Sequence, residues 1–260
     1  MTRLDVWLAE QGLTESREKA QALVMAGRVR IGGRPATKPG TRVREGDAVE
    51  VEPGPAHVGR GALKLRGALE AFGIDATDAV AVDVGASTGG FTETLLDRGA
   101  RRVYAVDVGR GQLHERLRQD PRVVVLDRTN ARALSPALVP EPCALAVMDV
   151  SFISVRKLLE PLLSVLAAGA SAVVLVKPQF EVGRRDVGKG GVVREPALHL
   201  QAISEVAGFA QGAGFSVRGA CASPVTGATG NREFFLHLVP GGEPLAREPL
   251  DDVLRKAVSA

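Results

Sequence analysis

The chain has 260 residues, 45% of them hydrophobic and 24% charged, and its formal net charge is +3. This length accommodates one large domain with a substantial hydrophobic core and one small domain. Acidic and basic residues nearly balance, so the total charge does not indicate a polyanionic partner. Only a local cluster of basic residues could do so.

Neither the cysteines nor the histidines form a recognisable site. Cys143 and Cys221 lie far apart and make no C-x-x-C pair, which excludes a disulfide scaffold and a zinc site and fits a reducing cytoplasm. The four histidines show no metal-ligand spacing. We therefore expect a protein that uses no metal.

No segment has the pattern of a signal peptide or a membrane span. The N-terminus, Met-Thr-Arg-Leu-Asp, lacks the apolar core of a signal peptide. The most apolar stretch, residues 158–176, is interrupted by Glu160, Pro161 and Gly169, whereas a span needs about 20 unbroken apolar residues. We expect a cytoplasmic protein with no membrane role.

Residues 1–52 predict a small α+β domain. Apolar residues recur at helical spacing from Leu4 and again from Ala20, and short β-like segments follow at 29–31, 43 and 49–51. Residues 53–59 are rich in proline and glycine and are predicted to be a linker.

A basic cluster lies within this first domain. Residues 14–44 contain eight lysines and arginines and two glutamates, a net charge of +6 on 31 residues. Such a patch attracts phosphate and binds RNA with little sequence preference, although a solvated basic face has the same composition. The candidate RNA-binding residues are Arg17, Lys19, Arg28 and Arg30.

The sequence of this domain also resembles a known RNA-binding module. Residues 16–36, together with Gly-Asp-Ala-Val-Glu-Val at 46–51, closely resemble the α-L RNA-binding domain, which is named after a small-subunit ribosomal protein. The resemblance covers nearly all of residues 1–52 and implies RNA binding.

Residues 80–91 have the pattern of a cofactor-binding turn. Residues 80–84 predict a buried strand, and Asp83 lies within it. A tight turn is predicted at Gly85, Gly89 and Gly90, and a helix follows. Strand, glycine turn and helix are how α/β proteins open a nucleotide site. The glycines would bring backbone N–H groups close to a ligand, so a Cβ there should collide with that ligand.

The spacing favours S-adenosylmethionine over a dinucleotide. Ser87 occupies the place of the second glycine in G-x-G-x-x-G. The carboxylate of Asp83 would repel a pyrophosphate but suits a cationic amino-acid group. The alternative is a structural turn in some other α/β domain.

Strands and helices alternate over residues 60–240, which predicts a Rossmann-like α/β domain with a mostly parallel sheet. A hairpin-like turn at 226–231 makes the last of seven strands antiparallel. Residues 241–260 are predicted to be a C-terminal tail or helix. The predicted strands are 80–84, 102–108, 122–126, 144–150, 171–176, 215–221 and 233–239; the predicted helices are 60–72, 91–98, 154–167 and 196–213, with a loop at 179–195.

Polar residues follow several of these strands. Asp107 ends the second strand, where a carboxylate commonly binds ribose hydroxyls, although it could instead cap a helix. Asp149 and Lys177 close the fourth and fifth strands, Glu233 begins the antiparallel strand, and Lys64 begins the helix that leads to the first strand. The topology therefore predicts that these last four meet at the carboxyl edge of the sheet.

Two lysines and two carboxylates suit the deprotonation of a weak acid. A neutral lysine acts as a base when a second cation disfavours its charged form, and the carboxylates orient the lysines, Asp149 with Lys177 and Glu233 with Lys64. The alternative is that the carboxylates cap turns and the lysines are surface residues.

Residues 60–240 resemble the FtsJ-type fold of RNA 2′-O-methyltransferases, and the four residues match its Lys-Asp-Lys-Glu tetrad. Three segments, together with the N-terminal domain, resemble the TlyA family, whose members are often labelled hemolysins. Those segments are Met-Asp-Val-Ser-Phe-Ile-Ser, Leu-Val-Lys-Pro-Gln-Phe-Glu and Thr-Gly-Ala-Thr-Gly-Asn-Arg-Glu-Phe.

The resemblance implies 2′-O-methylation of cytidine in 16S ribosomal RNA, 23S ribosomal RNA or both. The implied partner is either free ribosomal RNA or a ribosomal subunit. The linker lacks the tryptophan of the Arg-Ala-Trp-Val linker of one branch, and Asn-Pro-Pro-Tyr is missing after strand four, which disfavours methylation of a base amine. A non-catalytic RNA-binding or assembly module and a membrane-active hemolysin are the alternatives. The residues that the resemblance assigns to S-adenosylmethionine are Asp83, Gly85, Ser87, Gly89, Asp107 and Asp127.

Overall fold

The computed structural model describes residues 1–14, 16–44, 46–52, 58–183 and 185–260. The chain divides into two compact units, residues 1–56 and 57–260, and each has its own hydrophobic core. Most of the predicted linker, at 53–57, lies outside the described residues.

The first unit packs two helices against two small antiparallel sheets. Its core is formed by buried Leu4 and Leu8 from the first helix, Ala20 and Val24 from the second, and Val29 from a strand. The elements are β1 Thr2–Arg3, α1 Leu4–Glu10, α2 Arg17–Met25, β2 Val29–Ile31, β3 Arg34–Pro35, β4 Arg42–Val43 and β5 Val49–Val51.

The second unit is built on a seven-stranded sheet. Its strands are β6 Val80–Val84, β7 Arg102–Val106, β8 Val123–Leu126, β9 Cys143–Met148, β10 Leu166–Val176, β11 Phe215–Ala222 and β12 Phe234–Pro240. Its helices are α3 Gly61–Phe72, α4 Gly90–Asp97, α5 Glu115–Arg118, α6 Arg156–Leu163, α7 Pro178–Glu181, α8 Pro196–Gly212 and α9 Arg247–Ser259.

The strand order is β11-β12-β10-β9-β6-β7-β8, and β12 runs antiparallel to both of its neighbours while the other pairs are parallel. The predicted mixed α/β sheet with an antiparallel last strand is confirmed. The chain order reverses between β6 and β9, and a crevice outside the carboxyl ends of strands at such a point is where α/β sheets bind ligands.

The middle of this sheet is buried on both faces because helices cover each side. All five residues of β6 are buried; Val82 and Val84 belong to one core cluster and Ala81 to the other. Burial on both faces explains why the strand is a continuous apolar run rather than an alternating one. It also means that Asp83 is enclosed.

The structure differs from the predicted boundaries at α6 and β10 and in the loop 179–195, and it has a helix where a C-terminal tail or helix was predicted. α6 ends at Leu163 and β10 begins at Leu166, because Leu166 pairs with Cys143 before the register shifts at the following residues. The predicted loop 179–195 begins instead with the end of α7, which has a proline in its first turn. Residues 247–259 form α9, whose Leu254 is fully buried in the core.

Among the described residues, no helix is both long and apolar enough to cross a bilayer.

Candidate active site

The turn after β6 is tied to the end of β7. Gly85 and Gly89 have φ values of +87° and +100°, and Ser87 also has a positive φ of +48°. The Ser87 N–H donates to Asp107 Oδ2 at 2.8 Å, and the Gly109 N–H donates to Asp107 Oδ1 at 2.7 Å. Asp107 therefore orders this turn and does not cap a helix.

The turn glycines are required by neighbouring protein atoms. A Cβ built on Gly85 would overlap the carbonyl oxygen of Asp149, and one on Gly89 would overlap the side chains of Leu117 and Leu113. An added Cβ would therefore meet protein atoms at both positions, whereas the collision with a ligand stays a prediction. Gly85 allows the turn to lie directly against the end of β9.

Two ion pairs lie at the carboxyl edge of the sheet. Lys64 Nζ lies 2.6 Å from Glu233 Oε2, and Lys177 Nζ lies 2.6 Å from Asp149 Oδ1. Both lysines are only 8% exposed, and Glu233 is 4% exposed. The structure thus contains the two pairings that the topology predicted, and all four side chains line one cavity of about 560 Å³.

Each member of the pairs is positioned by a strand or helix end. Asp149 follows β9, and its N–H donates to the Val84 carbonyl at 2.9 Å. Lys177 joins β10 to α7, Glu233 directly precedes β12, and Lys64 lies in the first turn of α3. Because the sheet orders these ends, two charge pairs distant in sequence are held partly buried, where an unpaired charge would be costly.

A short loop after Asp149 contributes residues that sequence reasoning did not single out. Ser151 Oγ accepts a hydrogen bond from Lys177 Nζ at 2.9 Å. Phe152 is 92% exposed, has a φ of +64°, and places its ring 5.3 Å from that of Phe180. Both phenylalanines line the cavity. These residues lie in segments that sequence comparison used only as family markers.

Glu181 joins this loop to α7. It accepts hydrogen bonds from Ser154 Oγ at 2.6 Å and from the Val155 N–H at 2.8 Å, and Arg156 lies 3.4 Å away. Burial raises the pKa of the Glu181 carboxyl, and these hydrogen bonds oppose that shift. The segment bearing Ser151 is thereby held against the segment bearing Lys177.

A second cavity, of about 610 Å³, adjoins the first. The two share the lining residues Gly85, Ser87, Asp149, Ser151 and Phe152. The second cavity is lined by two acids, Asp107 and Asp149, by Arg132, and otherwise mainly by apolar, amide and hydroxyl groups, a composition that suits a nucleoside. The residues that line it alone include Val106, Asp107, Gln112, Thr129, Asn130, Arg132, Val150 and Ile153.

Three of the predicted cofactor residues, Gly89, Asp127 and Asp83, do not line either cavity. Asp127 accepts the Gly111 N–H at 3.0 Å and pairs with Arg118 at 3.0 Å. Asp83 is fully buried beneath the turn, where Thr92 Oγ1 donates to its Oδ2 at 2.7 Å. Sequence position alone does not reveal that these carboxylates face inward or meet other donors.

The enclosed position changes the acidity of Asp83. Burial raises the pKa of its carboxyl to about 7; the hydrogen bond from Thr92 opposes this shift, and the nearby carboxylates of Asp149 and Asp107 add to it.

The candidate RNA-binding residues of the first unit form two groups. Arg28 Nη2 donates to the Glu52 carbonyl at 2.7 Å, and Arg30 Nε lies 3.1 Å from Glu52 Oε1. Arg17 pairs instead with Asp5 and is half exposed. Lys19 is exposed on the same helix as Arg17. The structure therefore places two of the four beside Glu52 and two on α2.

Comparison with known families identifies both units. Residues 57–239 match the model of the FtsJ-like methyltransferase family, and residues 2–49 match that of the S4 domain. The chain belongs to the FtsJ-like methyltransferase family. The resemblances inferred for the two domains are confirmed.

Full-length relatives place the chain among the TlyA members of this family. It is 48% identical over 260 residues to the 16S/23S rRNA (cytidine-2′-O)-methyltransferase TlyA of Mycobacterium tuberculosis, covering 99% of this chain and 97% of that protein. It is 38% identical over 238 residues to Hemolysin A of Brachyspira hyodysenteriae, covering 91% and 99%. A solved structure of a hemolysin-labelled protein from Streptococcus thermophilus is 41% identical, with a TM-score of 0.75 and coverage of 99% and 94%.

Gly85→Ala should destabilise the FtsJ-like methyltransferase domain more than Gly73→Ala. Gly73 also has a positive φ, +63°, but a Cβ there meets open space, so Gly73→Ala should cost about 1 kcal/mol of backbone strain. The overlap with Asp149 should raise the cost at Gly85 to roughly 2–4 kcal/mol. Urea unfolding followed by far-UV circular dichroism measures both. Equal losses would show that the turn does not depend on this close approach.

Asp83→Asn should flatten the pH dependence of stability. The folded protein retains the Asp83 proton up to about pH 7, whereas the unfolded chain releases it near pH 4. The resulting stability is fully present below about pH 4 and is lost as the pH rises through about 7.

The measurement is the free energy of unfolding from about pH 5 to pH 8. The fall in the wild type should be smaller in Asp83→Asn. Asp75→Asn is the control, because backbone hydrogen bonding from Thr77 lowers the pKa of exposed Asp75, so it titrates below this range. An identical slope in the wild type and Asp83→Asn would contradict the assignment.

Proposed function

We propose that this protein transfers the methyl group of S-adenosylmethionine to the ribose 2′-hydroxyl of a cytidine in ribosomal RNA. The observation that carries the proposal is the pair of buried lysine–carboxylate contacts in a cavity that adjoins a nucleoside-sized cavity at the glycine turn. The substrate is inferred from the name of the Mycobacterium tuberculosis relative. A ribosomal RNA substrate implies a cytoplasmic protein.

The second cavity fits S-adenosylmethionine, which would supply an electrophilic methyl group on a sulfonium. Asp107 would accept ribose hydroxyls, since each carboxylate oxygen can take a second hydrogen bond beside those from Ser87 and Gly109. The backbone of Gly85 and Ser87 would form the floor of the site, and Gly89 would shape the turn without lining the cavity. Asp83 and Asp127 would act indirectly, Asp83 by supporting the turn and Asp127 by ordering the loop at Gly111.

Lys177 would act as the general base. Lys177 would have to be in its neutral amine form, having released a proton to solvent. As the ribose oxygen bonds to the methyl carbon and the bond from that carbon to sulfur breaks, Nζ would take the hydroxyl proton, and the charge pair with Asp149 would then be restored. Asp149 and Ser151 would orient this amine, since both contact it. Lys64 and Glu233 would orient the target ribose from elsewhere in the same cavity. Atoms and charge balance, because the sulfonium loses its charge as Lys177 gains one.

The S4 domain would bind the substrate RNA. Arg28 and Arg30 are fixed beside Glu52, and Arg17 and Lys19 lie on α2. Arginines and lysines that contact phosphates give affinity that falls with salt and depends little on sequence. We infer that this domain supplies binding and that the FtsJ-like domain supplies the chemistry.

The function is tested by incubating purified protein with labelled S-adenosylmethionine and separate small and large ribosomal subunits, and then mapping the methyl group. Label on a cytidine 2′-oxygen is expected. A protein that binds subunits but transfers no label would be an RNA-binding module, and the proposed activity would be wrong.

Lys177→Ala should lower the single-turnover rate on the order of 10²–10⁴, the usual contribution of general-base catalysis. Affinity for cofactor and RNA should stay near wild type, because the lost interaction acts in the transition state. Lys177→Arg should be nearly as slow, since a guanidinium stays protonated at working pH.

The matched control is Lys157→Ala, because Lys157 is an exposed lysine on α6 and should be dispensable. Substantial activity in Lys177→Arg would exclude Lys177 as the base.

A further inference from the structure

A buried carboxylate connects the two helices of the S4 domain. Asp5 is fully buried and accepts hydrogen bonds from Arg3 Nε and Nη2, each at 3.0 Å. Its Oδ2 also accepts from Arg17 Nε at 3.0 Å and from Gln21 Nε2 at 2.8 Å. The hydrogen bonds from Arg3 are the main reason that the pKa of the Asp5 carboxyl is well below its ordinary value.

These contacts occupy Asp5 but use only part of each arginine. The Val6 N–H adds a fifth donor to the carboxylate, which has about four lone-pair directions, so Asp5 has no capacity left for a ligand. Arg17 contacts it through Nε alone, and both arginine side chains remain about half exposed, 44% for Arg3 and 51% for Arg17. The terminal nitrogens of Arg17 lie outside this contact.

The charge of the cluster is also informative. Two guanidinium groups share one carboxylate, so their mutual repulsion is reduced while a net positive charge remains at the surface. A guanidinium whose orientation is already fixed loses little freedom when it binds, and its planar group matches the oxygens of a phosphate. Two arginines oriented by a buried carboxylate are thus organised to bind an anion through their exposed parts.

We propose that Asp5 is a positioning residue for RNA recognition, which holds Arg3 and Arg17 as a preformed pair that binds the phosphate backbone. This inference rests on the proposed binding of RNA by the S4 domain. It adds Arg3 to the interacting residues, and it assigns an acidic residue a favourable role in binding a polyanion.

A basic surface that acted only through its net charge would predict the opposite change in RNA affinity when Asp5 is replaced. Replacing Asp5 by asparagine removes one negative charge beside the basic surface, so a patch acting through net charge would bind RNA more tightly, with at least as steep a salt dependence. If Asp5 positions the arginines, the same change should weaken binding, because the amide offers fewer acceptors and releases both side chains. The salt slope should fall as phosphate contacts are lost.

The experiment measures the affinity of full-length protein for isolated small and large ribosomal subunits over a series of salt concentrations. Asp5→Asn should bind roughly tenfold more weakly than wild type, the worth of about one charge-assisted hydrogen bond. Glu10→Gln is the matched control, because Glu10 is an exposed acid on the same helix; its loss should leave affinity unchanged or slightly increase it.

Folding is followed in the same samples. Trp7 is the only tryptophan of the chain and packs against the core of the S4 domain, so its fluorescence reports unfolding of that domain. A folded Asp5→Asn variant that binds as tightly as wild type, or more tightly, would overturn the inference.

A second variant covers the case in which Asp5→Asn does not fold. Arg3→Lys combined with Arg17→Lys keeps both charges but removes the planar guanidinium groups. Weaker binding by this folded variant supports the inference, and unchanged binding overturns it. If wild-type protein shows the expected order of affinities but transfers no methyl group, the proposed activity fails while the role of Asp5 stands.

Discussion

The site depends on the close approach of two strand ends, which the absence of a side chain at Gly85 permits. The turn after β6 lies against the carbonyl of Asp149, and no other residue type has room there. This contact joins the two cavities, because Gly85, Ser87 and Asp149 belong to the walls of both. The two cavities therefore adjoin each other only while this backbone contact is preserved.

The charged side chains at this edge of the sheet are largely buried, and each would be destabilising there without a partner of opposite charge. Lys64 and Lys177 are nearly buried, and each is matched by one carboxylate. A buried pair contributes little net stability, because removing two charges from water offsets their attraction. The arrangement is better explained by chemistry than by folding, since an apolar core would be at least as stable. The loop bearing Ser151, held by Glu181, adds a further polar contact to Lys177.

The S4 domain uses buried charge in a different way. Asp5 satisfies its carboxylate entirely with protein donors and leaves the outer parts of two arginines at the surface. In both domains, buried carboxylates orient cations. In the roles proposed above, the cation is a base or a ribose contact in one domain and a phosphate ligand in the other.

Local sequence was sufficient for the seven strands and the longer helices of the second unit, although not for the short helices α5 and α7, and for the edge at which the site lies. Continuous apolar runs marked the central strands because both faces of the sheet are covered. Chain topology then placed Asp149, Lys177, Glu233 and Lys64 together, because the carboxyl ends of parallel strands share one edge. The end of β10 was predicted well and its start was not, because Leu166 joins the sheet through long-range pairing with Cys143.

What the sequence could not decide is where a side chain points and which groups compete for it. Asp83 and Asp107 both lie near strand ends, yet Asp83 is enclosed under the turn and Asp107 faces a cavity. Asp127 already contacts Arg118, and Asp5, which the sequence did not single out, contacts Arg17 only because of the fold. Sequence pattern determined which residues reach an edge or a face. Tertiary packing decided their partners, because burial and hydrogen bonding depend on groups that are distant along the chain.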